Sequence, residues 1–290
     1  MMRAAVSNLE PKLLPLRAWH RFDYQLHFGA ELMAGAHRIL SSPVSSYGQI
    51  AAIDHGQVHV WCIRLDASIK VVGRLRELLS HDELVRAARF VFDGDRRRFI
   101  VARAALRSIL AQYLDRQPAE IRFDYGANGK PYLSGANSLS FNLSHSDELA
   151  LLGVARDLEI GIDVECLDRQ IDIFEIADQF FTSKEIAAIR AAVPDQQHLR
   201  FLELWTCKEA YLKALGHGLA APLNEFDVST LESRLGQRAE GRAGRLPGGW
   251  TIWQFTPAPD YVAALAAANE RGRIVIRTLS AHAAILRPRS

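Results

Sequence analysis

Cysteine, lysine, net charge and long apolar runs are all scarce in this 290-residue chain, and each scarcity closes a class of explanation. Only three cysteines occur, Cys62, Cys166 and Cys207, widely spaced and with no CxxC pair. That excludes a disulfide scaffold and a cysteine-built zinc site, and it suits a reducing compartment. No segment approaches ~18 uninterrupted apolar residues, so no transmembrane helix and no membrane partner are expected. Glu10, Lys12 and Arg17 interrupt any apolar core of a signal peptide, and a cytoplasmic protein is the expectation. With 35 basic residues against 33 acidic ones, the net charge is only +2. A uniformly basic nucleic-acid binder and an acidic disordered tail are both poor descriptions of such a chain. What is present is ordinary: 49% hydrophobic and 23% charged residues, at a length that suits two domains or one large one.

Near-neutrality hides a gradient. Arg64 to Arg107 carries 11 Lys/Arg against 6 Asp/Glu, whereas His145 to Glu185 carries 3 against 11. Adjacent segments of opposite sign fit either a site for both an anion and a metal cation, or two solvated faces. Lysine is rare among the basic residues: Lys12, Lys70, Lys130, Lys184, Lys208 and Lys213 are the only six, beside 29 arginines. Three of those six fall in the chemistry-bearing segments below.

Residues 1–55 show no sustained period and read as an irregular N-terminal extension with one short helix over Gly29–Leu40. Gln57–Leu65 is rich in β-branched and aromatic residues and predicts a strand. Helices are predicted over Ser80–Phe90, opened by the capping box SHDE, and over Asp95–Tyr113. Short strands follow at Ile121–Tyr125, Ser138–Leu143, Leu149–Ala155 and Ile160–Glu165, with a turn at Gly126–Pro131. A helical region begins near Asp172, TSKE (Thr182–Glu185) is a second capping box, and Asp195–Leu215 predicts a long helix stopped at Gly216. The tail predicts strands at Glu225–Ser229, Trp250–Thr256, Tyr261–Ala268 and Arg273–Leu279, with a loop over 236–249. This order implies an α+β fold of two similar halves meeting near Ser144, 56–143 and 144–290, although no residue-level repeat is visible.

Four segments carry chemistry. In GIDVE (Gly161–Glu165), strand alternation puts Asp163 and Glu165 on one face, roughly 7 Å apart. Paired acids on an otherwise apolar strand call for a cation or a basic partner, and all-oxygen donors select magnesium or manganese over zinc. A solvated strand end is the plainer alternative. In WTCKEAYLKA (Trp205–Ala214), Trp205, Glu209 and Lys213 share one helical stripe, equally the pattern of a surface ion pair. FNLSHS (Phe141–Ser146) ends a strand in hydroxyls and an imidazole. It lacks the G-x-S-x-G elbow of a serine hydrolase, which leaves phosphate contact by Ser144 and His145, or a simple turn. GKP (Gly129–Pro131) sets Lys130 in a tight turn, a modest phosphate signal. Arg86, Arg89, Arg96, Arg97, Arg98, Arg103 and Arg107 form a basic row upstream.

The succession GKP, FNLSHS, GIDVE and WTCKEAYLKALGHGL resembles the larger, two-halved 4′-phosphopantetheinyl transferases, over about Gln57 to Leu279. The resemblance implies two α/β subdomains related by a pseudo-twofold, with the active site at their interface. It implies transfer of the phosphopantetheine arm of coenzyme A to a serine of an acyl or peptidyl carrier protein, releasing adenosine 3′,5′-bisphosphate. Asp163, Glu165 and Glu209 would hold Mg2+ (or Mn2+). Lys130 and Pro131 would line the coenzyme A pocket, Ser144 and His145 would meet its phosphates, and Lys213 its pyrophosphate. Arg86, Arg89 and Arg98 would serve the 3′-phosphate and adenine side. Glu209, Lys213 and His145 are the catalytic candidates, with Glu209 as base directly or through a water.

Two features depart from the family pattern. Glu83 stands where relatives often carry a basic residue, and the N-terminal extension is long. A monomer without nucleic-acid partners is expected. The competing readings are a magnesium-dependent nuclease on the same carboxylates and a non-catalytic binding module.

Overall fold

The computed structural model describes residues 38–41, 52–135, 138–216, 223–229, 242–268 and 275–280. In chain order the elements begin with β1 (Arg38–Ser41), β2 (Gln57–Arg64), α1 (Ile69–Leu75), α2 (His81–Ala88) and α3 (Asp93–Leu114). Five strands follow: β3 (Phe123–Tyr125), β4 (Pro131–Leu133), β5 (Leu139–Ser146), β6 (Leu149–Arg156) and β7 (Ile160–Cys166). Next come α4 (Ile173–Phe180), α5 (Ser183–Ala191) and α6 (Pro194–Leu215), and finally β8 (Arg242–Leu246), β9 (Trp250–Phe255), β10 (Tyr261–Ala268) and β11 (Val275–Ser280).

Local chemistry explains the helix limits. Thr182 and Glu185 exchange reciprocal cap bonds at the start of α5, at 2.8 and 3.2 Å. The α6 helix opens with Pro194, which lacks an N–H that the first turn would leave unpaired, and closes at Gly216 in the left-handed region (φ 69°).

The strands form two main sheets. One has the order β1-β11-β2-β6-β5, the other β7-β10-β9-β8, and β3 and β4 make a separate hairpin. Each main sheet buries one face against helices. Trp61, Ile63, Leu152 and Val154 pack with α1 and α3, while Ile252, Val262, Ala264 and Ala266 pack with α6. The remaining faces meet each other through Val58, Val60, Leu151, Ile162, Val164 and Leu265. The result is an α/β/β/α layering, which bears out the α+β class.

Several expectations need correction. The sheet changes between Arg156 and Ile160, not at Ser144, because β5 and β6 form a tight hairpin inside the first sheet. The last strand, β11, leaves the second half altogether and pairs parallel between β1 and β2. Arg38–Leu40, expected as helix, lie in β1, and residues 29–37 fall outside the described residues. Arg242–Leu246, expected as loop, pair with β9, since backbone pairing asks little of side-chain type. Glu225–Ser229 is not a strand: Leu223–Glu225 is a 3-10 turn.

Candidate active site

The motif segments converge where β5, β7 and α6 meet. Alternation along β7 turns Ile160, Ile162 and Val164 into the core between the sheets, which leaves Gly161, Asp163 and Glu165 on the face toward α6. Gly161 permits a close approach. A methyl group there would stand 2.1 Å from the Ala210 carbonyl oxygen and 2.3 Å from the Ala214 nitrogen. The helix therefore lies directly on the strand at this residue, and one turn of it delivers Glu209 and Lys213 to the carboxylates.

Beside β7 runs β5, joined to it by side chains. Asn142 Oδ1 accepts the Ile162 amide at 2.8 Å, and Ser144 Oγ donates to Asp163 Oδ1 at 2.9 Å. Ser146 Oγ donates to Glu165 Oε2 at 2.8 Å and accepts the Cys166 amide at 3.0 Å. These three rungs run in order along the two strands, and two of them satisfy backbone amides, those of Ile162 and Cys166, on the edge of β7. They explain why polar residues alternate at 142, 144 and 146 in a strand whose other side is apolar. His145 projects from the opposite face of β5 and is exposed.

Lys213 closes the group, donating to Asp163 Oδ1 at 2.5 Å and to Ser144 Oγ at 3.0 Å. Desolvation would pull its ammonium down, but Asp163, Glu209 and Glu165 outweigh that and hold it above the ordinary lysine range. The Glu209 carboxyl is pushed up to about 7, first by desolvation and then by Asp163, against the pull of Lys213. Glu165 is raised by the same two causes. Ser144 thus spends its hydroxyl on a carboxylate and an ammonium, an arrangement unlike that of a serine nucleophile activated by histidine.

Asp163 is only 4% exposed, and its Oδ2 has no partner; Glu209 Oε1 is likewise buried and unpartnered. Two orphaned, buried carboxylate oxygens are donors of the kind that suits a hard cation such as magnesium or manganese. Glu165 differs, because Ser146 and Arg169 already hold its two oxygens. Among the described residues, no three His, Cys, Asp or Glu side chains are gathered closely enough to hold a metal ion.

The remaining predicted residues divide by how their charge is used. Lys130 donates to Ala214 O at 2.8 Å, Ile160 O at 3.2 Å and Glu159 Oε2 at 3.2 Å. All three of its N–H donors are taken, so it braces the C-terminus of α6, as does Asn128 through Gly216 O at 3.0 Å. Pro131 follows as the first residue of β4. Arg98 is enclosed by Asp95, Asp147 and Glu148 and ties α3 to the β5–β6 turn. Arg103 and Arg107 both bond to Glu83, which is buried in the first half. Arg96 pairs with Asp93. With four of its members engaged, the arginine row is no open phosphate track, which counts against the nuclease reading. Arg86 and Arg89 differ from Arg98 in lining a surface cleft of about 710 Å³, together with His81, Asp82, Val85 and Phe90. Trp205 packs with Phe180, Phe181 and Phe201. The turn His217–Leu219 lies outside the described residues.

Five residues that the motifs do not single out also build the site: Gly161, Asn142, Ser146, Arg169 and Lys208. Lys208 is fully buried, pairs with Glu185 at 2.8 Å, and donates to Leu223 O and Phe226 O at 2.6 and 2.7 Å. It fastens α5 and residues 223–228 to the helix that carries Glu209. Lys208→Met strands Glu185 in the core and is expected to cost about 3 kcal/mol or more in urea unfolding. Lys184→Met, at an exposed and loosely paired side chain, is expected to change stability by about 0.5 kcal/mol or less.

Comparison with known proteins gives the family. The profile of the 4′-phosphopantetheinyl transferase superfamily matches residues 159–266, and that of the 4′-phosphopantetheinyl transferase N-terminal region matches residues 58–156. The chain is 40% identical over 216 residues to the 4′-phosphopantetheinyl transferase HetI of Nostoc sp., covering 73% of this chain and 88% of that protein. It is 30% identical over 155 residues to the 4′-phosphopantetheinyl transferase Sfp of Bacillus subtilis, covering 53% and 68%. To the human L-aminoadipate-semialdehyde dehydrogenase-phosphopantetheinyl transferase it is 32% identical over 172 residues, covering 55% and 56%. Both profile matches and the carboxylate–lysine group thus lead to one conclusion: the chain belongs to the 4′-phosphopantetheinyl transferase superfamily.

Proposed function

We propose that this chain transfers the phosphopantetheine arm of coenzyme A to a serine hydroxyl of an acyl or peptidyl carrier protein, releasing adenosine 3′,5′-bisphosphate. The observation that carries this reading is the bonded group of Ser144, Asp163 and Lys213, with Glu209 one turn before Lys213 on α6 and one buried oxygen each of Asp163 and Glu209 unpartnered. Lys213, fixed between Asp163 and Ser144, offers its positive charge to the pyrophosphate and to the charge that develops on the leaving phosphate. Glu209 takes the proton of the incoming serine as its oxygen bonds to phosphorus and the bond to the leaving phosphate breaks. A magnesium or manganese ion held by Asp163, Glu165 and Glu209 supplies further neutralisation of the pyrophosphate when bound.

Arg86 and Arg89 are assigned to the 3′-phosphate and adenine side, in their cleft on α2. Ser144 and His145 are assigned to the phosphates. Lys130 and Pro131 shape the rim of the pocket, Lys130 acting through the end of α6, and Arg98 contributes by bracing α3. The active site then lies between two halves divided at residues 157–159 and related by a pseudo-twofold. The protein works as a cytoplasmic monomer, with no nucleic-acid or membrane partner. Among the described residues no helix is long and apolar enough to cross a membrane.

Mass spectrometry tests the assignment. Incubation with coenzyme A, magnesium and a small panel of apo carrier proteins is expected to add the mass of one phosphopantetheine to at least one carrier. No mass shift across the panel would sink it.

A further inference from the structure

Glu165, the third acid of the proposed ligand set, already carries one partner on each of its two oxygens. Its Oε2 accepts from Ser146 Oγ at 2.8 Å and its Oε1 from Arg169 Nη1 at 2.9 Å. Asp163 and Glu209 contrast with it, each offering a buried oxygen without a partner. Three carboxylates share this small region, and a low-dielectric site tolerates such a group only with positive charge close by. Lys213 supplies one such charge to Asp163, and Arg169 supplies the other to Glu165.

The two cations are held differently. Lys213 reaches from the middle of the site and is bonded to both Asp163 and Ser144. Arg169 sits in the turn that leaves β7, four residues beyond Glu165, and its side chain is 44% exposed. Water is therefore available to the guanidinium if it lets go, and its long aliphatic stem allows the movement.

We propose that Arg169 is the resident counter-cation of this carboxylate group, so that a divalent cation binds Glu165 by exchange with the guanidinium rather than by simple addition. Arg169 is thereby a residue that sets metal affinity, acting through Glu165. The proposal rests on the reading of Asp163, Glu165 and Glu209 as metal ligands. Ser146 has a separate part: its neutral hydroxyl aims the Glu165 carboxylate and opposes no cation.

The test is manganese binding by the metal-free full-length protein without coenzyme A, followed by electron paramagnetic resonance. Arg169→Gln keeps a hydrogen-bond donor and removes the charge, while Arg169→Lys keeps the charge. A unit charge about 5 Å from a divalent ion near the surface, screened by salt, corresponds to about a fivefold change in affinity. Arg169→Gln is expected to bind manganese about fivefold more tightly than the wild type, and Arg169→Lys to stay close to it. The gap is expected to shrink as sodium chloride is raised, a response that a packing defect would not give. Affinity in Arg169→Gln that is unchanged or weaker overturns the proposal while leaving the ligand assignment standing. Failure of the wild type and both variants to bind manganese at all overturns the ligand assignment, and this proposal with it.

Discussion

Glu209→Gln is expected to stabilise the metal-free protein above neutral pH while removing most of its transferase activity. Desolvation, followed by the neighbouring Asp163 charge, pushes the Glu209 carboxyl from 4.5 up to about 7. Between those values the folded chain binds a proton that the unfolded chain has released. The associated stability is therefore complete below about pH 4.5 and is lost as pH rises through about 7. At pH 8 the ionised carboxylate costs the fold roughly 3 kcal/mol, which glutamine avoids. Glu165 is shifted in the same direction, so the variant keeps part of the slope. Urea unfolding between pH 5 and 8 in a chelator measures the difference, and parallel curves for the two proteins would refute it. Glutamine matches the size of glutamate but accepts no proton, so the transfer rate is expected to fall by about 10²–10⁴.

Gly161→Ala is expected to produce the largest loss of stability of any single methyl added to this chain's described glycines. The new carbon would lie 2.1, 2.3 and 2.8 Å from Ala210 O, Ala214 N and Lys213 C, all backbone atoms of one helix. No side chain can rotate to make room, so α6 must lift from β7. The expected cost is about 3 kcal/mol or more, and Lys213 and Glu209 move away from Asp163 as the helix lifts. Gly153→Ala is the comparison. Its nearest neighbour is the Ile160 Cδ1 atom at 3.0 Å, the end of a flexible side chain, and about 1 kcal/mol or less is expected. Melting temperatures of both variants, with transfer assays on whatever folds, check the pair. Equal effects at the two glycines would mean that α6 does not depend on Gly161 for its approach.

Much of this site is legible in the amino-acid order, because its signals are local. Alternation alone puts Asp163 and Glu165 on one face of a strand, and helical spacing puts Glu209 and Lys213 one turn apart. Capping boxes and Gly216 mark the helix ends. What stays hidden depends on partners distant in sequence. Lys130 looks like a phosphate ligand in its turn, yet its ammonium is consumed 84 residues away at Ala214. Arg98 and Glu83 lose their apparent freedom in the same way, to residues brought close only by packing. The α1 helix leaves little trace, since its seven residues include Val71, Val72 and Gly73, which weaken any helical signal. A subtler local clue lies in β5, where the alternation of Asn142, Ser144 and Ser146 announces a polar partner on one side of the strand.

The return of β11 to the first sheet has a consequence for how the polypeptide is made. The strand lies between β1 and β2, and its pairing with Gln57–Cys62 joins residues more than 200 positions apart. The β2 edge of that sheet is therefore covered only after the more than 200 residues that separate the two strands have been synthesised. Until then the edge of β2 stands bare, open to a chaperone or to a strand of another nascent copy. The first sheet is thus assembled late, from segments made far apart in time.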